Sequence, residues 1–90
     1  MRFEYDPMKS NVNLEKHGID FEEGQQLWRD RRRIQFRLQC RPEERYGILS
    51  HYEGTIWLAI ITHRRNCTRI ISIRRATAKE ASIYDKANNR

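Results

Sequence analysis

"YGILSHYEGTIWLAIITHRRNCTRIISIRR", residues 46–75, decides the fold. Two tight breaks, Glu53-Gly54 and the "RRNC" of residues 64–67, divide it into three runs: Tyr46–Tyr52, Ile56–Ile61 and Arg69–Arg75. Runs of this length, separated so closely, read as strands joined by turns. The middle run is apolar at every position, which is the pattern of a central strand covered on both sides. In the last run Ile71 and Ile73 fall on one face, and Ile70, Ser72 and Arg74 on the other. Just upstream, "RIQFRLQC", residues 33–40, alternates more cleanly than any other segment. Ile34, Phe36, Leu38 and Cys40 form its expected buried face, with Arg33, Gln35, Arg37 and Gln39 wet.

Working outward, "RFEYD" near the N-terminus alternates as a short first strand. Asp6-Pro7 then supplies an N-cap and a proline at the first helical position. The spacing predicts a helix from there to Gly18, with Met8 and Val12 facing inward together and Gly18 in a left-handed terminal position. Asp20 and Glu23 open a second helix as a capping box. Its expected buried face holds Phe21, Gly24 and Trp28, with Leu27 beside them. "TAKE", residues 77–80, is another capping box, starting a final helix whose apolar side is Ala81, Tyr84 and Ala87. The order β-α-α-β-β-β-β-α is an α+β domain spanning residues 1–90. It predicts a small antiparallel sheet with two N-terminal helices and a C-terminal helix.

Ninety residues bury a modest fraction of their surface, so stability is limited without a partner. The longest apolar run is far too short to span a bilayer, and "MRFEYDPMK" lacks the apolar core of a signal peptide. The expected location is the cytoplasm, with no membrane association. Cys40 and Cys67 read as two reduced thiols in that compartment. No close Cys/His ligand pair suggests a metal, and no cofactor is expected.

The formal net charge is +6, with 14 Arg against 4 Lys. Arginine's planar fork grips phosphate with two hydrogen bonds, so this excess points to nucleic acid, although an acidic protein partner reads much the same. Five of the arginines lie between Thr62 and Ala76, and no acid occurs from Gly54 to Lys79. Three classes of function stay open at this level. They are an RNA-cleaving enzyme, a non-catalytic nucleic-acid- or ribosome-binding module, and a protein-interaction partner.

Several segments together resemble a known family. They are "YDPMKSNVNLEKHGIDFEEGQQLWRD", "EERYGIL", the Thr62–Arg64 "T-x-R" and "RIISIRRATAKEASIY", in order over Phe3 to Tyr84. The pattern resembles the BrnT toxins of bacterial type II toxin–antitoxin pairs. The resemblance implies a RelE-like ribonuclease fold and a growth-arresting endoribonuclease that cuts RNA. It also implies a BrnA-type antitoxin in a two-toxin, two-antitoxin complex that binds its operator through a ribbon-helix-helix part. Two positions depart from the family, which usually has alanine at Gly24 and at Ile73. Ile73 is expected to point into the core and to shift the adjacent strand end.

Metal-free RNA cleavage uses the neighbouring 2′-hydroxyl as nucleophile. It needs a base for that hydroxyl, cations for the pentavalent phosphate and an acid for the 5′-oxygen. The candidate catalytic residues are His17, Arg45, Arg64, Arg74, Glu80 and Tyr84. Arg45 begins the strand antiparallel to the central one, so it should lie near Arg64. Arg74 falls at the other end of the hairpin from Arg64 and groups with Glu80 and Tyr84 near the final helix. Which group holds the scissile phosphate stays open, and each arginine also reads as a surface charge or ion pair. Lys16 and His17 end the first helix, where the helix dipole favours cations, and His17 is the candidate proton shuttle. Glu80 is equally explained by its capping box, and Tyr84 by core packing. Lys16, Arg33, Arg37, Arg65, Arg69 and Arg75 are the candidate RNA contacts, with Arg33 and Arg37 on the wet strand face as an RNA track or antitoxin surface. His51 and His63 are expected to be partly buried strand residues, and Trp28 and Trp57 core.

Overall fold

The computed structural model describes residues 1–89. It contains β1 (Arg2–Glu4), α1 (Pro7–His17), a 3-10 helix (Glu23–Arg29), β2 (Ile34–Gln39), β3 (Arg45–Tyr52), β4 (Thr55–Arg64), β5 (Cys67–Arg75) and α2 (Ala78–Asn88). The strands form one sheet in the order β1-β5-β4-β3-β2. β2 to β5 are antiparallel, as the tight links require, and β4 is central. β1 adds in parallel to the first residues of β5, so the sheet is mixed. The β3–β4 turn places both Glu53 and Gly54 at positive φ, which suits a two-residue hairpin.

One face of the sheet is closed by the N-terminal elements, with Phe21, Leu27, Ile48, Ala59, Ile61 and Ile73 among its fully buried residues. The opposite face is covered only at one end, where Tyr84 of α2 packs on Leu49 and Leu58. α2 opens on the expected capping box, with both reciprocal bonds of Thr77 and Glu80 formed.

Three local expectations are corrected. Met8 and Val12 do not face inward; they are 77% and 46% exposed. α1 instead buries Ser10 and Asn13, because it docks on backbone groups. Ser10 Oγ accepts from the Phe21 amide, and the Asn13 side chain donates to the Ile19 and Ile73 carbonyls and accepts from the Ile73 amide. The second helix winds as 3-10, so a period of three brings Phe21, Gly24 and Leu27 to the buried face and leaves Trp28 half-buried against Phe3. β2 is an edge strand whose apolar face is uncovered, with Phe36 and Leu38 36% and 44% exposed and Cys40 exposed rather than inward. The Phe36 ring lies over Gly47, its cross-strand partner.

Gly24 and Ile73 meet in the core. A Cβ at Gly24 would collide with Cδ1 of Ile73, so the small residue makes room for the large one. β5 pairs with β4 in two registers one residue apart, the shift falling between Ile60 and Ile61, next to the strand end that carries Ile73, Arg74 and Arg75. The bulge also corrects the expected faces of β5: Ile70 and Ile73 both enter the core, and Ile71 does not.

Candidate active site

Both ends of β5 carry arginines, and the register separates them. Arg74 pairs across from Leu58, whereas Arg64 pairs with Cys67 at the turn. The strand between Leu58 and Arg64 spans roughly 20 Å at the rise of an extended chain. The expected separation of the two arginine groups therefore holds.

At the turn end, the charges form a chain. Arg69 bonds Glu4 at 3.1 Å, and Arg64 reaches both Glu4 at 3.7 Å and Glu43 at 3.6 Å. Arg45 completes it with a 3.5 Å contact to Glu43. Arg45 and Arg64 are neighbours as expected, held together by the carboxylate between them. The Arg69 hydrogen bond, followed by one from Cys67, keeps the Glu4 carboxyl below its usual range. Arg45 Nε is buried and lacks a hydrogen-bond partner among the described residues. Arg65 stands exposed in the turn at positive φ.

At the other end, Lys16, His17 and Gly18 from the end of α1 line a cleft of about 390 Å³ with Arg74 and Arg75. The chain reaches this point because Gly18 takes a left-handed conformation that stops the helix, its amide bonding back to Leu14. Arg74 is fixed by Glu80 through two hydrogen bonds, 2.8 and 3.0 Å, and donates to the Arg75 carbonyl. The Arg74 fork, with help from the Thr77 amide, overcomes desolvation and lowers the Glu80 carboxyl to about 2. At neutral pH that group carries no proton to give and is a weak base. Its geometry makes it the residue that aims Arg74. Arg75 lies over the Trp57 ring, 5.5 Å from the centroid, which steadies a second guanidinium at the rim.

Tyr84 is not brought to this cleft. Its hydroxyl donates to Asp30, and burial followed by that acceptor pushes the phenol up to about 12. Burial would raise Asp30, but bonds from Tyr84 and from the His51 and Arg32 amides outweigh it and hold the carboxyl below its usual range. Asp30 thus ties the end of the 3-10 helix to β3 and α2. The sequence signal for it was an acid standing inside the basic run "RDRRR". Glu4 and Glu43 were also missed, since nothing in their spacing marks them as bridges between arginines.

The remaining candidates are scattered. Arg33 turns back onto the Trp28 and Asp30 carbonyls at 3.1 Å each. Arg37 is exposed, near Cys40 and Glu44. His51 and His63 are exposed rather than partly buried, His63 stacking at a tilt on Tyr46. Trp57 is core as expected.

An imidazole and three cations from two distant parts of the chain thus line the cleft. A family model described as "Ribonuclease toxin, BrnT, of type II toxin-antitoxin system" matches residues 5–80, a span that includes all of these groups. The chain belongs to the BrnT family. As a BrnT toxin it is a ribonuclease component of a toxin–antitoxin pair, with RNA as substrate and an antitoxin protein as partner. No curated protein matches this BrnT chain significantly. Among its described residues no helix is long and apolar enough to cross a membrane.

Proposed function

We propose that this BrnT chain acts as a single domain and as a metal-independent endoribonuclease whose scissile phosphate sits in the Lys16–His17–Arg74–Arg75 cleft. The observation that carries this reading is that His17 and Arg74 line one cleft. The cleft thereby offers an imidazole, able to take and give a proton, together with a guanidinium that Glu80 aims. His17 accepts the 2′-hydroxyl proton as that oxygen bonds to phosphorus. The bond to the 5′-oxygen breaks, and the imidazolium returns the proton there, leaving a 2′,3′-cyclic phosphate and a 5′-hydroxyl. Arg74, Arg75 and Lys16 hold the phosphate oxygens while negative charge develops. Glu80 positions Arg74, and Tyr84 positions α2. Arg37, Arg65 and Arg69 act outside the cleft as contacts to the remaining RNA, whereas Arg33, turned onto the Trp28 and Asp30 carbonyls, takes no part.

In this reading the toxin works in the cytoplasm, cuts RNA to halt translation and growth, and is neutralised by a BrnA-type antitoxin. The two assemble in a two-to-two complex that binds operator DNA through the antitoxin. A second placement of the phosphate, between Arg45 and Arg64, is favoured by one observation, the unpartnered Nε of Arg45.

The test is cleavage of an end-labelled RNA in excess EDTA, beside a matched strand with 2′-deoxy sugars. Cutting of the RNA alone is expected, with cyclic phosphate at the new 3′ end. Dependence on added metal, or cutting of both strands, would overturn the mechanism. Loss of activity in Arg45→Ala with full activity in Arg74→Ala would move the phosphate to the second placement.

A further inference from the structure

α1 is inside out for a surface helix. Its buried residues, Ser10 and Asn13, are polar, and Met8 and Val12 are turned to solvent. An amphipathic helix ordinarily does the reverse, burying its apolar stripe against the core. These two side chains do not stand alone. With the half-buried Ile71 of β5 they line a groove of about 280 Å³, edged by Lys9 and Lys16. Neither lysine has an ion-pair partner among the described residues. The groove runs directly into the cationic cleft, because Lys16 and His17 line both.

We propose that this groove seats an acidic segment of the antitoxin, whose apolar side chains pack on Met8, Val12 and Ile71 and whose carboxylates meet Lys9 and Lys16. Inhibition follows from the shared wall. A chain lying in the groove reaches Lys16 and His17, so it closes the cleft to an RNA phosphate without copying the substrate. The ligand chemistry favours protein over RNA. A thioether and two aliphatic side chains offer nothing to a ribose-phosphate backbone, and apart from the His17 imidazole at its junction with the cleft the groove is lined by no aromatic ring on which a base could stack. Methionine adapts its shape to an apolar partner, which suits a recognition surface. The flanking lysines select for acid on that partner and speed the encounter. The inhibitory half of the proposal rests on the cleft's being the ribonuclease site; the docking half does not.

The test measures binding and cleavage separately, using the toxin and the antitoxin encoded at its own locus. Met8 and Val12 are exposed, so the double variant M8E/V12E should fold, and its melting curve checks this. Calorimetry is expected to show antitoxin binding weakened on the order of 30-fold or more, the loss typical of a central apolar contact. K9E should weaken it less and make it less sensitive to salt. RNA cleavage by M8E/V12E should match the unaltered toxin and resist inhibition at antitoxin concentrations that silence it. Hydrogen exchange should show the antitoxin protecting α1 and residues 70–73.

Antitoxin affinity within about threefold of the unaltered toxin in M8E/V12E would overturn the proposal. So would protection at Phe36 and Leu38 of β2 in place of α1, or failure of the antitoxin to bind the unaltered toxin. A toxin that dimerises alone, and becomes monomeric in M8E/V12E, would assign the groove to a second copy of this chain and overturn it equally. If the toxin cuts no RNA yet M8E/V12E loses the antitoxin, the docking site stands and the ribonuclease-site reading alone fails.

Discussion

The two arginine groups at the ends of β5 have the same residue type and opposite electrostatic outcomes. At the turn end, Arg45, Arg64 and Arg69 face Glu4 and Glu43 in an alternating chain, and most of their charge is answered within the protein. At the α1 end, among the described residues, Lys16, Arg74 and Arg75 have one ion-paired carboxylate, Glu80, which answers Arg74. Within these two groups the α1 end keeps the larger share of unanswered charge, on Lys16 and Arg75, while at the turn the unanswered cations among the described residues are Arg2 and Arg65, outside the Arg45–Arg64–Arg69 chain. The contrast shows that a count of arginines locates neither a ligand nor a site. What matters is which carboxylates the fold delivers beside them, and those come from distant loops.

Mutagenesis at both ends of β5 tests this difference most directly. Arg74→Ala should cut RNA cleavage roughly 100- to 1,000-fold, the usual loss when a transition-state donor is removed. His17→Ala should abolish cleavage with the melting temperature intact. Arg64→Ala should cost less than about tenfold, because it holds no phosphate in this reading. Equal losses at Arg64 and Arg74 would erase the distinction between the two ends.

A second prediction concerns how β5 is seated. Gly24→Ala should destabilise the fold by about 1–3 kcal/mol, since the added methyl strikes Ile73 in a packed core. In an Ile73→Ala background the same change should cost little or become favourable, because the methyl that Gly24 makes room for is gone. Additive costs in a double-mutant cycle of urea denaturation would contradict this coupling.

Acid acts on the α1 end through Glu80. Its folded value, about 2, lies below the ordinary 4.5, so its pairing with Arg74 stabilises the protein fully above pH 4.5. That contribution, on the order of 2–3 kcal/mol, is lost as pH falls from 4.5 toward 2. Glu80→Gln should therefore be less stable than the parent at pH 6 and converge with it near pH 2. A constant difference across that range would show that the pair does not titrate as described.

The smallest effect is on salt dependence. Replacing Lys16 or Arg75 with glutamine should flatten the slope of log affinity for single-stranded RNA by about 0.7 for each phosphate no longer neutralised. Arg33→Gln should leave it unchanged, because that side chain is turned onto two carbonyls. Flattening by Arg33 but not by Lys16 would shift the RNA path to β2.

Local chemistry made much of this fold legible. Asp6-Pro7, Gly18, Glu53-Gly54 and the Thr77–Glu80 box each declare a start, stop or turn through a single backbone preference, and each stands where expected. What failed was inference from apolar spacing to burial. Met8 and Val12 have helical spacing, and Phe36 and Leu38 have strand spacing, but periodicity reports which residues share a face and not whether anything covers it. The site was legible in its parts. Arg45 beside Arg64, and Arg74 beside Glu80, followed from strand register and helix start. The shared cleft of His17 and Arg74 did not, because it depends on how α1 docks against β5. That docking is made by the polar side chains Ser10 and Asn13, which no hydrophobic pattern reveals.

Asn13 has a further consequence. β1 ends after pairing with Arg69, and from there β5 would present a bare edge. The Asn13 amide occupies both the N–H and the C=O of Ile73, one residue before the two arginines of the cleft. An unpaired strand edge is a template on which a neighbouring molecule can polymerise. One side chain thus does locally what another strand would do, and it leaves open the corner of the sheet where a strand would have buried Arg74 and Arg75. A single asparagine both blocks a polymerising edge and keeps the corner with Arg74 and Arg75 accessible.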